Sequence, residues 1–207
     1  AAAQAAAQLA LDSQGFYNVT LKNMATPWTN EEQTMFADLN DFTATVIGVV
    51  RDGLDFRQVL YGDLLYVGTN GSLPAYSNSD NDHYVALEAS GANLGDPGVL
   101  ERRTQSGVTG LASSATAGVM TTRAAAKAFF VAGTNRAMFR FTMLNFLCRD
   151  LEQVKDTSRA PDRIRQDVSR SPGGDSRIFL NRCVGCHAGT RTLAERSTFG
   201  RTKSLLA

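Results

Sequence analysis

The amino-acid sequence predicts a mainly α-helical fold, and three stretches of the chain support that prediction. Apolar side chains recur at helical spacing after the Thr-Asn-Glu-Glu start at residues 29–32. Residues 115–132 and 136–154 form two further apolar segments, which the Gly-Thr-Asn sequence at residues 133–135 separates. No internal repeat is visible. We therefore expect a single helical domain whose helices are joined by long ordered loops.

The first 28 residues form an N-terminal segment of uncertain register. Residues 1–10 are low in complexity, and the Ala and Gln that dominate them favour a helix. Residues 11–28 are typical of a loop with one short strand, from Phe16 to Leu21. We therefore place the start of the helical domain at residue 29.

The first helix of that domain should begin at a cap formed by Thr29 or Asn30, with acidic residues in its first turn. It should end near Gly53, and a shorter helix from Phe56 to Leu65 should follow. The apolar stripe of the first helix consists of Phe36, Leu39, Phe42, Val46 and Val50.

Residues 66–96 are rich in Gly, Asn, Ser and Asp and have little periodicity, which predicts a long ordered loop. A loop of this length inside a compact domain is usually functional. It carries His83, which lies in a polar stretch where packing gives it no obvious role. Residues 97–114 are rich in turns.

The two apolar segments that follow predict the helices 115–132 and 136–154. The second has an apolar face too broad for a surface helix, so we expect it to lie at the centre of the fold. Cys148 stands at helical spacing to Leu144 and Leu151, which favours a buried thiol that behaves as a small hydrophobic side chain. Short helices over 161–169 and from Asp175 onward complete the helical pattern.

The most informative motif of the chain follows that last helix. Cys183-Val-Gly-Cys186-His187 spells C-x-x-C-H, the attachment signature of a c-type haem. Each thiol can add to one porphyrin vinyl group, and the adjacent imidazole can bind the iron. The motif predicts one covalent haem c held by Cys183 and Cys186, with His187 as the proximal iron ligand.

Other interpretations of these residues explain less. A zinc site could use Cys183 and Cys186 together with Cys148 or His83, but it would leave His187 without a role. A thioredoxin-like redox pair usually follows a strand, whereas a helical pattern precedes this motif. A plain disulfide also leaves the histidine unexplained.

The distal iron ligand is harder to assign, because no Met or His follows His187. We expect His83 to be that ligand, with a surface or hydrogen-bonding role as the alternative. The remaining upstream candidates are Met24, Met35, Met120, Met138 and Met143. A ligand from another chain and an open axial position are further alternatives. A bis-histidine haem would have a lower potential than a His/Met haem, because a thioether favours ferrous iron.

Charge and hydropathy exclude several function classes. The formal net charge is +1, which gives no electrostatic case for nucleic acid. No apolar run is long enough to predict a membrane-spanning helix.

Residues 190–207 are basic and form a separate C-terminal tail, so the predicted haem domain covers residues 29–189.

The chain also resembles a known family over about residues 30–189: the C-terminal, haem-bearing domains of large secreted proteins from myxobacteria, planctomycetes and marine proteobacteria. From about Gly107 onward the matching residues are Ala117-Gly-Val-Met-Thr-Thr122, Thr134-Asn-Arg136 and Cys183-Val-Gly-Cys-His187-Ala-Gly. The upstream stretch Asp55-Phe-Arg-Gln-Val-Leu-Tyr-Gly-Asp63 resembles the partner domain that normally precedes the haem-bearing domain. In such relatives Met-Asp-Pro usually follows the motif, whereas Thr190-Arg-Thr stands here. The resemblance implies electron transfer or oxidation at the outer cell surface.

Together these observations predict a monohaem c-type cytochrome, an electron carrier rather than an enzyme, that works with redox partner proteins. Covalent haem attachment implies the bacterial periplasm or the cell exterior. Two alternatives remain open: a structural, haem-bearing subunit of a larger electron-transfer assembly, and a peroxidase-like haem enzyme.

Overall fold

The structure, a computed structural model, describes residues 2–130 and 137–150. The chain divides into two compact units, residues 1–138 and residues 139–207. The described residues are mainly helical, and the sheet they contain has two short strands. The predicted mainly α fold is therefore confirmed. The boundary between the units lies inside the predicted haem domain of residues 29–189, whose extent stays a prediction.

The N-terminal segment is helical, and the strand predicted for Phe16–Leu21 is wrong. Helix α1 spans Ala2–Leu11 and buries none of its side chains. Residues Phe16–Leu21 form a π-helical turn, which continues into α2 (Lys22–Ala25) and a 3₁₀ turn at Thr26–Thr29. Tyr17 and Leu21 are both buried and stand four residues apart, which is the spacing of one helix face rather than of a strand.

Helix α3 (Asp41–Arg51) lies at the centre of the first unit, and nine of its eleven residues are buried. It begins later than predicted, because the Asn40 side chain accepts a hydrogen bond from Thr43 N at 3.0 Å and caps the helix there. Asn30 instead hydrogen-bonds within residues 26–34. The Thr29 hydroxyl donates to Thr26 O and accepts from Asn40 Nδ2. Consequently Phe36 is 90% exposed, although it belongs to the predicted apolar stripe. The helix ends near Gly53, as predicted.

The predicted helix Phe56–Leu65 is shorter in the structure, where α4 spans Gln58–Tyr61. Strand β1 (Leu65–Gly68) follows and pairs antiparallel with β2 (Leu100–Arg103). Helix α3 packs against β1. Gly48 permits this approach, because a Cβ atom there would stand 2.2 Å from the Tyr66 ring.

The prediction of a long loop over residues 66–96 is wrong in part. It contains most of β1, and helix α5 (Asp82–Ala89) buries His83, Tyr84 and Leu87. Apolar and polar residues of this helix are spread over all of its faces, so its sequence lacks the apolar periodicity that predicts a helix. A short helix α6 (Gln105–Thr109) follows β2.

Helix α7 (Arg123–Phe129) occupies only part of the predicted helix 115–132. Residues Ser113–Ala115 form a 3₁₀ turn, and the Thr122 side chain caps α7 by accepting from Ala125 N. Gly118 explains the late start, since its φ of +54° is left-handed and a Cβ atom there would stand 2.1 Å from Val59 O.

Helix α8 (Ala137–Leu147) begins close to the predicted helix 136–154, and Cys148, with φ of +51°, ends it. In the second unit Arg140 forms an ion pair with Asp150 at 2.7 Å. The expectation of a buried Cys148 is wrong, because this free thiol is exposed. The expected helices 161–169 and from Asp175, and the basic tail, lie outside the described residues.

Candidate functional site

The residues that carry the haem prediction, Cys183, Cys186 and His187, lie outside the described residues. Their assignment therefore rests on the chemistry of the donor set. Two thiols spaced for the two vinyl groups and an adjoining imidazole are the groups that a covalent haem c requires. The predicted set fits that cofactor by type and by order along the chain.

His83, the predicted distal ligand, is described, and both of its ring nitrogens hydrogen-bond to the backbone. Nε2 accepts from Gly68 N at 2.8 Å, and Nδ1 lies 2.6 Å from Pro74 O. The side chain is 5% exposed, and its ring packs edge-on against Tyr84 at 4.8 Å between centroids. The expectation that packing gives His83 no role is therefore wrong.

These two partners also define the tautomer of the imidazole. A backbone N–H can only donate and a backbone carbonyl can only accept, so Nε2 is unprotonated and Nδ1 carries the proton. An Nδ1–H that donates to a carbonyl is the usual arrangement for a histidine that binds a metal through Nε2. Here, however, the Nε2 lone pair points to the N–H of Gly68. His83 can therefore bind iron only if its bond to Gly68 opens, and its role as a ligand stays a prediction.

The methionine candidates stay predictions, and they differ in their exposure. Met24 and Met35 are each 47% exposed, and Met120 is half-buried. Met138 and Met143 lie in α8. Within residues 2–130 and 137–150, no group of three or more His, Cys, Asp or Glu side chains is arranged to hold a metal ion.

Asp41, at the start of α3, is the most heavily engaged buried carboxylate of the first unit. Its Oδ2 accepts from Arg123 N at 2.7 Å and from the Tyr76 hydroxyl at 3.2 Å. Its Oδ1 accepts from Ala124 N and Phe42 N, each at 3.0 Å. The carboxylate thus ties the first turn of α7 to the first turn of α3 and to the segment that carries Tyr76.

Burial raises the pKa of Asp41, while the N–H groups of Ala124 and Arg123 and the Arg123 charge act in the opposite direction. Burial also raises the pKa of Tyr76, and the neighbouring Asp41 adds to that shift. Sequence reasoning did not select Asp41, although its carboxylate connects the first turns of α3 and α7. The signal was present, because Asn40-Asp41 precedes an apolar run as a helix cap does.

Arg123 is the second residue that sequence reasoning missed. Its guanidinium donates to Asn81 Oδ1, and Asn81 Nδ2 donates to Leu39 O at 2.7 Å. Its Nε is buried and has no hydrogen-bond partner within the described part of the chain. The guanidinium is therefore fixed in place with hydrogen-bonding capacity that its neighbours do not use.

Comparison with known proteins adds no relative: no family model, no curated protein and no solved structure matches the chain. Among the helices that the structure describes, none has the length and apolar character that crossing a membrane requires.

Proposed function

We propose that the protein is a monohaem c-type cytochrome that transfers electrons in the bacterial periplasm or at the cell exterior. One observation carries the proposal: the contiguous Cys183-Val-Gly-Cys186-His187 sequence. Thiol pairs alone are compatible with zinc, with redox exchange and with a disulfide, but only haem attachment gives the adjacent histidine a role.

In this proposal Cys183 and Cys186 hold the cofactor through two thioether bonds, and His187 supplies the proximal nitrogen. The haem supplies one-electron transfer when bound. The protein fixes the cofactor in place covalently, so that its position toward a redox partner does not depend on binding equilibrium. Partners are other redox proteins, as the resemblance to haem-bearing domains of large secreted proteins also suggests.

The described fold is relevant to one part of the proposal, the identity of the second axial ligand. If His83 fills it, the hydrogen bond from Gly68 N to Nε2 must be exchanged for the bond to iron. The exchange would leave a backbone N–H of the sheet without its partner, which costs about 1–3 kcal/mol if the group stays buried. A metal–nitrogen bond can offset a cost of that size.

The proposal is tested by producing the 207-residue chain in the periplasm of a bacterium that attaches haem to C-x-x-C-H sequences. Mass spectrometry of the denatured protein should show one haem that stays attached, and the reduced protein should show the spectrum of haem c. The matched control is the double variant Cys183→Ala/Cys186→Ala, made in the same cells. An unmodified mass together with bound zinc would overturn the proposal.

A further inference from the structure

A cleft of about 540 Å³ opens on the first unit between the segment of residues 29–40 and helix α7. Its volume lies within the range of about 300–1,000 Å³ that is typical of small-molecule sites. We call it the charged cleft, because five of the twelve residues that line it are ionisable. These five are Glu31, Glu32, Asp38, Arg123 and Lys127.

The charges of this cleft come from two different parts of the chain. The three carboxylates belong to the segment of residues 29–40, whereas Arg123 and Lys127 both belong to α7, four residues apart. Within residues 2–130 and 137–150, none of the five forms an ion pair. The cleft therefore presents acidic and basic groups that the described fold does not neutralise against each other.

Arg123 is the anchored member of this set. Its backbone N–H is held by Asp41, and its guanidinium is held by Asn81, which also lines the cleft. Its Nε is buried and has no hydrogen-bond partner within the described residues, so a ligand in the cleft would meet the outer Nη groups of the guanidinium. A fixed guanidinium with spare donors suits the planar, two-oxygen geometry of a carboxylate.

The remaining lining excludes other classes of ligand. The apolar residues among the twelve are three alanines, Ala37, Ala124 and Ala128, so a large hydrophobic molecule such as a porphyrin would find no apolar wall. The described acidic residues form no cluster that could hold a metal ion. Amide and hydroxyl groups of Thr29 and Asn40 complete a polar lining.

We propose that the charged cleft binds a small zwitterion of the amino-acid class. The ligand's carboxylate pairs with Arg123 and Lys127, and its ammonium group pairs with the carboxylates of Glu31, Glu32 or Asp38. The lining carries three acidic and two basic side chains, so a zwitterion can bring each of its charged groups to a side chain of opposite charge. The proposal does not rest on the proposed haem.

The test uses the full 207-residue chain and the twenty common amino acids, each added singly at about 2 mM in a thermal-unfolding assay at pH 7. At least one should raise the midpoint, because a ligand that binds only the folded state stabilises it. The best amino acid is then measured by calorimetry beside its α-N-acetyl and α-carboxamide derivatives. Each derivative lacks one charge and should bind at least tenfold more weakly than the parent.

Matched variants locate the binding. Arg123→Gln and Lys127→Gln should each weaken the best amino acid, the first at least tenfold, whereas Arg103→Gln on strand β2 should leave its affinity unchanged. Lys127 is exposed, so its variant decides the question even if Arg123→Gln does not fold. The proposal is overturned if no amino acid shifts the midpoint, if the derivatives bind as well as the parent, or if Lys127→Gln leaves the affinity unchanged.

Discussion

The segment Cys183–His187 and the buried residues around Asp41 and His83 differ in how their roles can be inferred. In the segment Cys183–His187, haem attachment can be predicted from five consecutive residues without knowledge of the tertiary structure. In the second, the fold is needed, because Asp41 and His83 find their partners in residues far along the chain or in other elements. Covalent chemistry at a short motif is local, whereas the use of a buried polar group is decided by tertiary contacts.

The two histidines make this comparison concrete. His187 has a predicted role because of its immediate neighbours, Cys183 and Cys186. His83 is predicted as a ligand because it lies in a polar stretch without an obvious packing role, yet its ring joins the end of β1 to the backbone of Pro74. A residue type that can bind iron is a candidate only when the fold leaves its donor atom free, or when the metal can compete for that atom.

The largest effect should come from the motif. Replacing both thiols, in Cys183→Ala/Cys186→Ala, should abolish covalent haem attachment completely, because no other pair of cysteines exists in the chain. The measurement is the mass of the denatured protein and its haem absorbance after removal of free haem. The exposed Cys148→Ala serves as the control and should keep a full complement of haem. Retained covalent haem in the double variant would contradict the assignment.

The second largest effect should come from the buried carboxylate. Asp41→Ala removes the acceptor for the N–H groups of Arg123 and Ala124 and for the Tyr76 hydroxyl. Leaving buried donors without partners should lower the free energy of unfolding by about 3–5 kcal/mol, measured by urea denaturation. Asp38→Ala, which removes an exposed carboxylate three residues away, should change it by less than about 0.5 kcal/mol. Similar losses in the two variants would show that Asp41 does not join α3 to α7.

This contrast also separates what the sequence could predict of the fold from what it could not. The mainly helical class and the end of α3 near Gly53 follow from periodicity and turn residues. The late start of α3 could also have been predicted, because Asn40 is a local cap. The late start of α7 could not, because it depends on the approach of Gly118 to Val59. Helix propensity cannot decide between a helix and a loop where a distant backbone atom occupies the space.

The candidate sites divide in the same way. The C-x-x-C-H motif could be selected from the letters alone, whereas the charged cleft combines residues 29–40 with Arg123 and Lys127, which no spacing rule connects. Asn81, which holds Arg123, lies in a stretch that the sequence predicts as loop. Opposed charges from separate segments become a site only once the chain has folded.

An intermediate effect is expected at His83. His83→Ala should lower the free energy of unfolding of the haem-free chain by about 2 kcal/mol, since Gly68 N and Pro74 O both lose their partner. In the haem-loaded protein the same variant distinguishes the two roles. A ferric spectrum that turns high-spin, with new binding of carbon monoxide, would support iron ligation. An unchanged spectrum beside the lower stability would show that His83 serves the fold only.

The smallest effect concerns Asp63, a carboxylate that is fixed by one short helix rather than by a buried network. Asp63 Oδ2 accepts from the Ser106 hydroxyl at 2.6 Å and Oδ1 from Ser106 N at 2.8 Å. These hydrogen bonds, the hydroxyl's first, lower the pKa of Asp63. A lowered carboxyl pKa stabilises the fold above the ordinary value of about 3.9, and that stabilisation is lost as the pH falls through the lower, folded-state value.

Ser106→Ala should therefore raise the pKa of Asp63 toward its ordinary value, but only in part, because the backbone N–H of residue 106 still donates. The measurement is a pH titration of the side-chain carboxyl carbon by NMR, with Asp55 as the internal reference. The Arg57 side chain lowers the pKa of Asp55, which lies away from the substitution and should titrate as before. The variant should lose part of this stabilisation at neutral pH, and its fall in stability between about pH 4 and pH 2 should be shallower than that of the parent. An Asp63 pKa that does not move would mean that the backbone of α6, and not the hydroxyl, holds this carboxylate ionised.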